Sequence, residues 1–421
     1  MAGQGRTRRE AIRSTAGLGL AVLLASGCSG GPEVSRAAVR GIRRTLDGRA
    51  AAVLARDRAA YLAALAPDVP QLRAAQLREF QNLADVPLSS WEYRLGEVRR
   101  QGDGAVAEAE LRYRLTGYDT APVSVSRTLE LREGEDDGEG DGRWYVTADR
   151  AARGAAGAAA QQLWQQGAVQ VVRGRHSLVL AVGQDTERLR ALAATADRAV
   201  PAVSGAWPSR WAGRVVVLVP ASLDAMGALL GGEAAGYRGI AAVTTGETGS
   251  APGSAPADRV IVNPEAYGVL GDFGQNIVLT HETTHVATRA HTSAATPVWL
   301  SEGFADWVAY RSTSRTAAQI APELQRAVRR GEVPAALPED KDFAFSGDAE
   351  ALGRAYEGGW LACELMGERW GEKRLTGFYR AVGAGKHRQG AVEKAMGEVL
   401  STTPEDFTVR WRAYLRERLD G

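Results

Sequence analysis

The sequence predicts an α+β protein built from two domains. Its 421 residues exceed what a single hydrophobic core usually supports. The first third of the chain begins with helical patterns and then changes to alternating strand patterns. The rest of the chain brings strands and helices in succession and is helical to its end. A second and larger domain is therefore expected after the first.

Residues 1–28 are typical of an export signal. Arg6, Arg8 and Arg9 supply positive charge, an apolar run follows, and small residues precede Cys28. The apolar run is too short to cross a bilayer as a helix. LLASGC resembles a bacterial lipobox, which implies a lipid on Cys28 and an exported protein anchored to the outer face of the cytoplasmic membrane. TRREAI also resembles a twin-arginine signal, and a Sec signal fits equally well.

Residues 34–147 are predicted to form the first domain. The helical patterns AAVRGIRRTLDGRAAAVLARDRAAYLAAL and QLRAAQLREFQNLA come first. Alternation in AELRYRL and VSVSRTLEL then indicates an antiparallel sheet with one buried face. Helices followed by such a sheet resemble the cone of the NTF2-like fold. The acidic segment GEDDGEGDG is interpreted as a solvated hairpin tip.

An Ala-, Arg- and Gln-rich stretch, residues 148–167, is predicted to be a helical connector. The second domain, residues 168–421, opens with the strand patterns SLVLAVG, RVVVLVP and RVIVNP. A helical segment, DTERLRALAATADRAVPAVSGAW, lies between the first two. The Gly-, Ser- and Pro-rich residues 244–258 are predicted to be a mobile loop, which either borders a substrate cleft or is a tolerated surface insertion.

The motif HETTH, from His281 to His285, carries the clearest chemical information. On a helix these two histidines are four residues apart and project from one face, so both imidazoles can reach one metal ion. Glu282 lies between them and can accept a proton from a metal-held water. The surrounding segment GQNIVLTHETTHVATRA has no glycine or proline after Gly274, which predicts the required helix.

The third metal ligand has two candidates, of which His291 is the first. It lies six residues after His285, as in the HExxHxxGxxH pattern of the metzincins. Where that pattern has a glycine this chain has Thr288, whose β-branched side chain disfavours the turn that glycine allows. This favours His291 as a polar residue at the end of the helix.

Glu302 fits the third position better. It opens a second helical pattern, WLSEGFADWVAY, in which Glu302 and Asp306 are four residues apart on one face. The first carboxylate could bind zinc while the second orients a ligand histidine through its free ring nitrogen. Taken alone, the segment is also typical of an amphipathic core helix with its charges in solvent. The HETTH motif before it favours the metal-binding interpretation.

HETTH together with WLSEGFADW is similar to the peptidase MA-like group of the gluzincin zinc metallopeptidases. The resemblance implies His281, His285 and Glu302 as zinc ligands, Glu282 as general base and Asp306 as the partner of a ligand histidine. It also implies a small sheet before the metal helix and an all-α C-terminal lobe. The 16 residues between the second histidine and the glutamate are near, but not equal to, the aminopeptidase spacing, and the chain has no GAMEN-like segment.

The expected activity is that of a zinc metallopeptidase with one catalytic zinc and a peptide or protein substrate. The oxyanion that develops during hydrolysis needs another donor besides the metal, and Tyr356, Tyr310 and His387 are candidates. AYEGG is similar to an AY-x-x-G tyrosine segment that follows the ligand helix in this group, which favours Tyr356.

Two alternatives to an enzyme are a catalytically degenerate zinc-binding interaction module of the cell envelope, and an envelope interaction protein whose first domain carries the function.

Charge and cysteine content limit the choice of partners. The 51 basic and 50 acidic residues nearly cancel, so nucleic acid is not expected as a partner. The expected contacts are a peptide or protein substrate and, through the lipid, a membrane. The two cysteines are Cys28 and Cys363. If Cys28 carries lipid, no disulfide forms within the chain, and Cys363 is predicted to be a buried residue of a helix.

Overall fold

A computed structural model describes residues 34–134, 142–151, 160–246, 256–344 and 348–420. The protein is α+β, as the sequence predicts, with a four-stranded antiparallel sheet, a five-stranded mixed sheet and helices. The predicted export signal and most of the GEDDGEGDG hairpin tip lie outside the described residues. Within the described ranges, no helix combines the length and apolar character needed to cross a membrane.

Three helices precede the antiparallel sheet. They are α1 (Arg36–Ala55), α2 (Arg58–Ala63) and α3 (Pro70–Asn82). The strands run in sequence order and are β1 (Leu88–Gln101), β2 (Gly104–Leu115), β3 (Val123–Glu133) and β4 (Trp144–Ala151). Every second residue of β2 from Ala105 to Leu115 is buried, and α1 packs against the sheet. The predicted alternation with one buried face is therefore confirmed.

The helical connector predicted for residues 148–167 is wrong at its start. Residues 148–151 continue β4, which pairs with β3. The reason is the buried carboxylate of Asp149, which lies 2.8 Å from Arg127 Nε and 2.9 Å from Arg49 Nη2. Two guanidinium groups hold this charge on the sheet, a long-range interaction that outweighs local helix propensity. Helix appears only in α4 (Leu163–Gln166), and residues 152–159 are outside the described part.

The mixed sheet has the strand order β5-β6-β7-β9-β8, with parallel pairing of β6, β7 and β9 and an antiparallel strand at each edge. Its strands are β5 (Val169–Arg173), β6 (Ser177–Val182), β7 (Val215–Val219), β8 (Ala242–Thr245) and β9 (Arg259–Val262). The helices along it are α5 (Thr186–Ala206), α6 (Leu223–Leu230) and α7 (Pro264–Gly268). The three parallel strands and α5 were predicted, whereas the two short edge strands were not.

Both faces of the mixed sheet are buried. On β6, Leu178 and Leu180 join the apolar core of the antiparallel sheet, whereas Val179 and Ala181 pack with the core beneath α5. This alternation follows from the two-residue period of a strand. One continuous apolar core therefore joins the two sheets.

A buried ion pair adds a polar tie between the two sheets. Asp119, in the β2–β3 connection, has a fully buried side chain whose oxygens lie 2.8 and 2.9 Å from the guanidinium of Arg259 on β9. The same carboxylate accepts the backbone N–H groups of Leu115 at 2.7 Å and Ala257 at 3.0 Å. It thus fixes the start of β9 relative to the end of β2.

We expect Asp119→Ala to lower the free energy of unfolding by about 3–5 kcal/mol, because it leaves the Arg259 charge buried without its partner. Chemical denaturation of the variant and the parent chain measures this difference. Asp68→Ala, which removes an exposed partner of Arg132, is the control and should change stability little. Equal stability of the Asp119→Ala variant and the parent would contradict this role.

The remainder of the chain is helical and has its own apolar core. Its α-helices are α8 (Asp272–Thr288), α9 (Val298–Tyr310), α10 (Ala317–Ile320), α11 (Pro322–Arg329), α12 (Ala349–Trp370), α13 (Glu372–Gly383), α14 (Ala391–Ala395) and α15 (Pro404–Leu419). Helix α8 contacts α5, strand β8 and α9, and α9 packs in turn on α12. This succession brings the HETTH helix between the sheet and the helical lobe. Cys363 is fully buried on α12, as predicted.

Candidate metal centre

The HETTH motif lies on α8, close to the helix predicted for residues 274–290. His281 and His285 are one turn apart, and their ring centroids are separated by 4.7 Å. Their side chains are 13% and 15% exposed, so the rings are largely sheltered but reachable from solvent. The spacing of the motif thus gives the shared helix face that the sequence predicts.

Glu302, on α9, completes a cluster of three possible ligand atoms. The Nε2 atoms of His281 and His285 are 3.0 Å apart, and Glu302 Oε2 lies 3.2 Å from the first and 3.5 Å from the second. Tetrahedral ligands bonded to zinc at about 2.0–2.2 Å lie roughly 3.3–3.6 Å from one another. One of the three separations falls in this range and the other two are slightly shorter, so a small outward adjustment of the side chains would fit one ion of this size. The donor set suits zinc as well as other first-row metals.

Asp306 lies one turn beyond Glu302 and contacts the first histidine from behind. Its Oδ1 is 2.8 Å from His281 Nδ1, which leaves the Nε2 atom of the ring directed at the cluster. Burial opposes the charged imidazolium, but the carboxylates of Asp306 and Glu302 outweigh it and raise the pKa of His281. Burial likewise opposes the Glu302 carboxylate, but His285 and His281 outweigh it and lower its pKa. The site is thus arranged to hold positive charge.

Glu282 is held by a residue that the sequence did not single out. Thr244 on β8 lies with its Oγ1 2.6 Å from Glu282 Oε2 and 3.2 Å from the Glu282 carbonyl oxygen. The glutamate is buried, with 8% of its surface exposed. Thr244 was predicted to open a mobile loop, but it pairs with Val260 inside the sheet. The hydroxyl therefore ties the predicted general base to the edge strand.

The three candidate oxyanion donors lie in different surroundings. Tyr356, on α12, is partly buried, and its pKa is raised by burial and by the carboxylates of Glu302, Asp306 and Glu282. Tyr310 lines a cavity next to the site together with Tyr356, and its pKa is raised by burial and by Asp306. His387 is exposed on a connection of the helical lobe. Tyr356 is the candidate that is affected by the carboxylates of both Glu302 and Glu282 in addition to Asp306.

His291 does not join the cluster. It ends a short 3-10 helix, Arg289–His291, and its ring lies 5.5 Å from that of Trp207, centroid to centroid. Burial and Arg380 lower its pKa. Among the described residues, the cluster that could hold a metal ion consists of His281, His285 and Glu302 alone. The metzincin-like alternative for the third ligand is wrong, because helix α8 gives way to a 3-10 turn that directs this ring to Trp207.

Two glycines that no sequence pattern identified allow α9 to approach α12 closely. A Cβ atom on Gly303 would lie 2.2 Å from the carbonyl oxygen of Gly359, and one on Gly359 would lie 2.7 Å from that of Trp299. The backbones of the two helices are therefore in direct contact, which only glycine permits. The contact is next to Glu302 in the chain and places α12, with Tyr356, beside the ligand helix. The small residues in WLSEGFADW and AYEGG were the feature of the sequence that could have indicated this close contact.

Comparison with known proteins adds no family assignment: no protein-family model matches the chain, and no curated protein is significantly similar to it.

Proposed function

We propose that this chain is a zinc-dependent metallopeptidase of the gluzincin type, which hydrolyses peptide bonds in a peptide or protein substrate. The observation that carries the proposal is the convergence of two histidine nitrogens and one carboxylate oxygen within 3.0–3.5 Å. A buried glutamate, Glu282, follows the first ligand histidine directly. A purely structural metal site has no use for such a base, which favours an enzyme over a degenerate binding module.

The arrangement of elements supports the gluzincin assignment. A mixed sheet precedes the metal helix, and a helical lobe follows the third ligand. We assign residues 168–421 to this metallopeptidase domain, and the connector to the residues between the end of β4 at Ala151 and residue 168. The first domain, predicted as residues 34–147, is assigned to an NTF2-like domain that continues to the end of β4 at Ala151. Its three helices packed with a four-stranded antiparallel meander support this assignment.

Zn²⁺ held by His281, His285 and Glu302 would supply a Lewis acid for the scissile carbonyl and a lowered pKa for the attacking water. Asp306 fixes the orientation of His281 through its Nδ1 atom. Glu282 accepts the proton of the attacking water and returns it to the leaving amine. The Tyr356 hydroxyl is proposed to donate a hydrogen bond to the developing oxyanion.

The edge strand β8 offers a place for the peptide backbone. Among the described strands it pairs only with β9, and helix α8 contacts it. An extended peptide can add to such an edge through main-chain hydrogen bonds. A substrate bound in this way would run beside Thr244 and Glu282.

The cellular site of action is proposed from the first residues of the chain. The basic, apolar and small residues that end at Cys28 support export and lipid attachment. The enzyme would then act at the outer face of the cytoplasmic membrane of a bacterium, without a nucleic acid partner.

The direct test is hydrolysis of a pool of quenched fluorescent peptides by the purified full chain. Activity should disappear on treatment with a zinc chelator and return when zinc is added back, because the ligand set requires the ion. Zinc binding without turnover of any peptide or protein would overturn the peptidase proposal in favour of a zinc-binding envelope module.

We expect Thr244→Val to lower the turnover number about tenfold, the equivalent of about 1.4 kcal/mol, because Glu282 loses a hydrogen bond to its charged carboxylate. Zinc content should not change, since Thr244 contacts no ligand atom of the cluster. Thr244→Ser keeps the hydroxyl and should restore most of the activity. Equal turnover of the valine and serine variants would show that the hydrogen bond does not position the base.

A further inference from the structure

A cavity of about 310 Å³ lies beside the candidate metal centre, between α9, α10 and α12. The residues of its wall that matter here are Asp306, Tyr310, Ile320, Tyr356, Glu357 and Trp360. This volume is in the range of pockets that accept small ligands or a single long side chain.

One residue, Asp306, joins the cavity to the metal centre. It lines the cavity and hydrogen-bonds His281. Tyr356, the proposed oxyanion donor, lines the same cavity. A group that fills the cavity would therefore lie next to the proposed reaction site.

The chemistry of the wall favours a cation. It combines three aromatic rings with the carboxylates of Asp306 and Glu357, and none of the described residues that line it is a lysine or arginine. Tyr310 and Trp360 form one side, with ring centroids 5.7 Å apart. Aromatic faces and carboxylates both attract guanidinium and ammonium groups. An acidic side chain would be repelled, and an apolar one would add no favourable interaction with the two carboxylates.

Glu357 is a fixed carboxylate with capacity for a further partner. Its oxygens accept the backbone N–H groups of Glu323 at 3.1 Å and Leu324 at 2.5 Å, at the start of α11. Burial nevertheless raises its pKa to about 7. A bound cation would offset this cost of burial.

Three arginines on the neighbouring elements have partners of their own. Arg326 pairs with Glu323, and Arg354 lies 3.7 Å from Glu350. Arg315 lies over the Phe273 ring, 3.9 Å from its centroid. None of the three belongs to the cavity wall.

We propose that this cavity is the subsite that binds a lysine or arginine side chain of the substrate, next to the bond that is cleaved. The inference rests on the proposed peptidase function and names the class of substrate: peptides with a basic residue beside the scissile bond. Glu357 is the specificity-determining residue, because its carboxylate supplies charge without contacting the ligand cluster.

Calorimetric titration of the full chain with acetyl-arginine amide, and separately with acetyl-citrulline amide, tests the subsite without any need for turnover. The two probes share their shape, but only arginine is charged. We expect the arginine probe to bind at least about tenfold more tightly, and Glu357→Gln to remove this preference. Glu350→Gln makes the same charge change on the same helix outside the cavity and should leave both affinities unchanged. Ala349→Trp, at the exposed rim, should block both probes.

Equal affinity for the two probes, no binding of the arginine probe, or an arginine preference that survives Glu357→Gln would each overturn the subsite. The result of this titration is independent of the result of the peptide hydrolysis test. Arginine binding without hydrolysis of any peptide would contradict only the proposed peptidase activity. Hydrolysis without preference for basic residues, together with equal probe affinities, would contradict only the proposed subsite for a basic side chain.

Discussion

Glu282→Gln is expected to lower peptide hydrolysis by about 10²–10⁴-fold, because glutamine keeps the shape of the side chain but cannot accept the proton of the attacking water. Thr244 Oγ1 can still donate to the side-chain oxygen of the glutamine, so the local geometry should persist. The turnover number should fall while zinc content and thermal stability stay at the level of the parent chain.

Steady-state kinetics on a peptide that the parent cleaves, together with metal analysis of the same samples, makes this measurement. Glu350→Gln, an exposed residue of α12 remote from the cluster, is the matched control and should retain full activity. A Glu282→Gln variant with zinc bound and undiminished turnover would remove Glu282 from the mechanism.

Gly303→Ala is expected to lower the free energy of unfolding by about 3 kcal/mol or more, because its methyl group meets the backbone of α12 and not a side chain that can move aside. The nearest atom would be the Gly359 carbonyl oxygen at 2.2 Å. Helices α9 and α12 must separate to relieve this clash. Glu302 is the preceding residue, so the affinity for zinc should fall as well.

Denaturant titration and a competitive zinc assay report the two effects. Gly205→Ala is the matched control, since this glycine is also helical but a Cβ atom there meets nothing within 4 Å. That variant should be unchanged or more stable by up to about 1 kcal/mol. If Gly303→Ala were as stable as Gly205→Ala, the close contact of the two helices would not be a requirement of the fold.

Local patterns predicted most of the fold. The uninterrupted helical segment around HETTH, the alternation in β2 and the apolar runs of β6, β7 and β9 each contain their own signal over several residues. The cluster of His281, His285 and Glu302 could be predicted for the same reason, because helical spacing fixes which side chains share a face. The third ligand required a choice between His291 and Glu302. Thr288, at the position where the metzincin pattern has a glycine, favoured Glu302.

What the sequence did not predict depends on contacts between distant segments. Thr244 reaches Glu282 across 38 positions of the chain, and Asp119 reaches Arg259 across 140. Neither pair leaves a periodic pattern. The edge strands β5 (VQVVR) and β8 (AVTT) include polar residues and lack the apolar runs that indicated the parallel strands. The contact of Gly303 with Gly359 likewise becomes visible only when the two helices are placed together.

The zinc content of the purified full chain, measured beside Glu302→Ala and His291→Ala, tests the proposed metal centre most directly. We expect one zinc ion per chain in the parent and in His291→Ala, and a loss of zinc in Glu302→Ala. An absence of zinc from the parent, or zinc that is kept in Glu302→Ala, would show that these three residues do not form the metal centre.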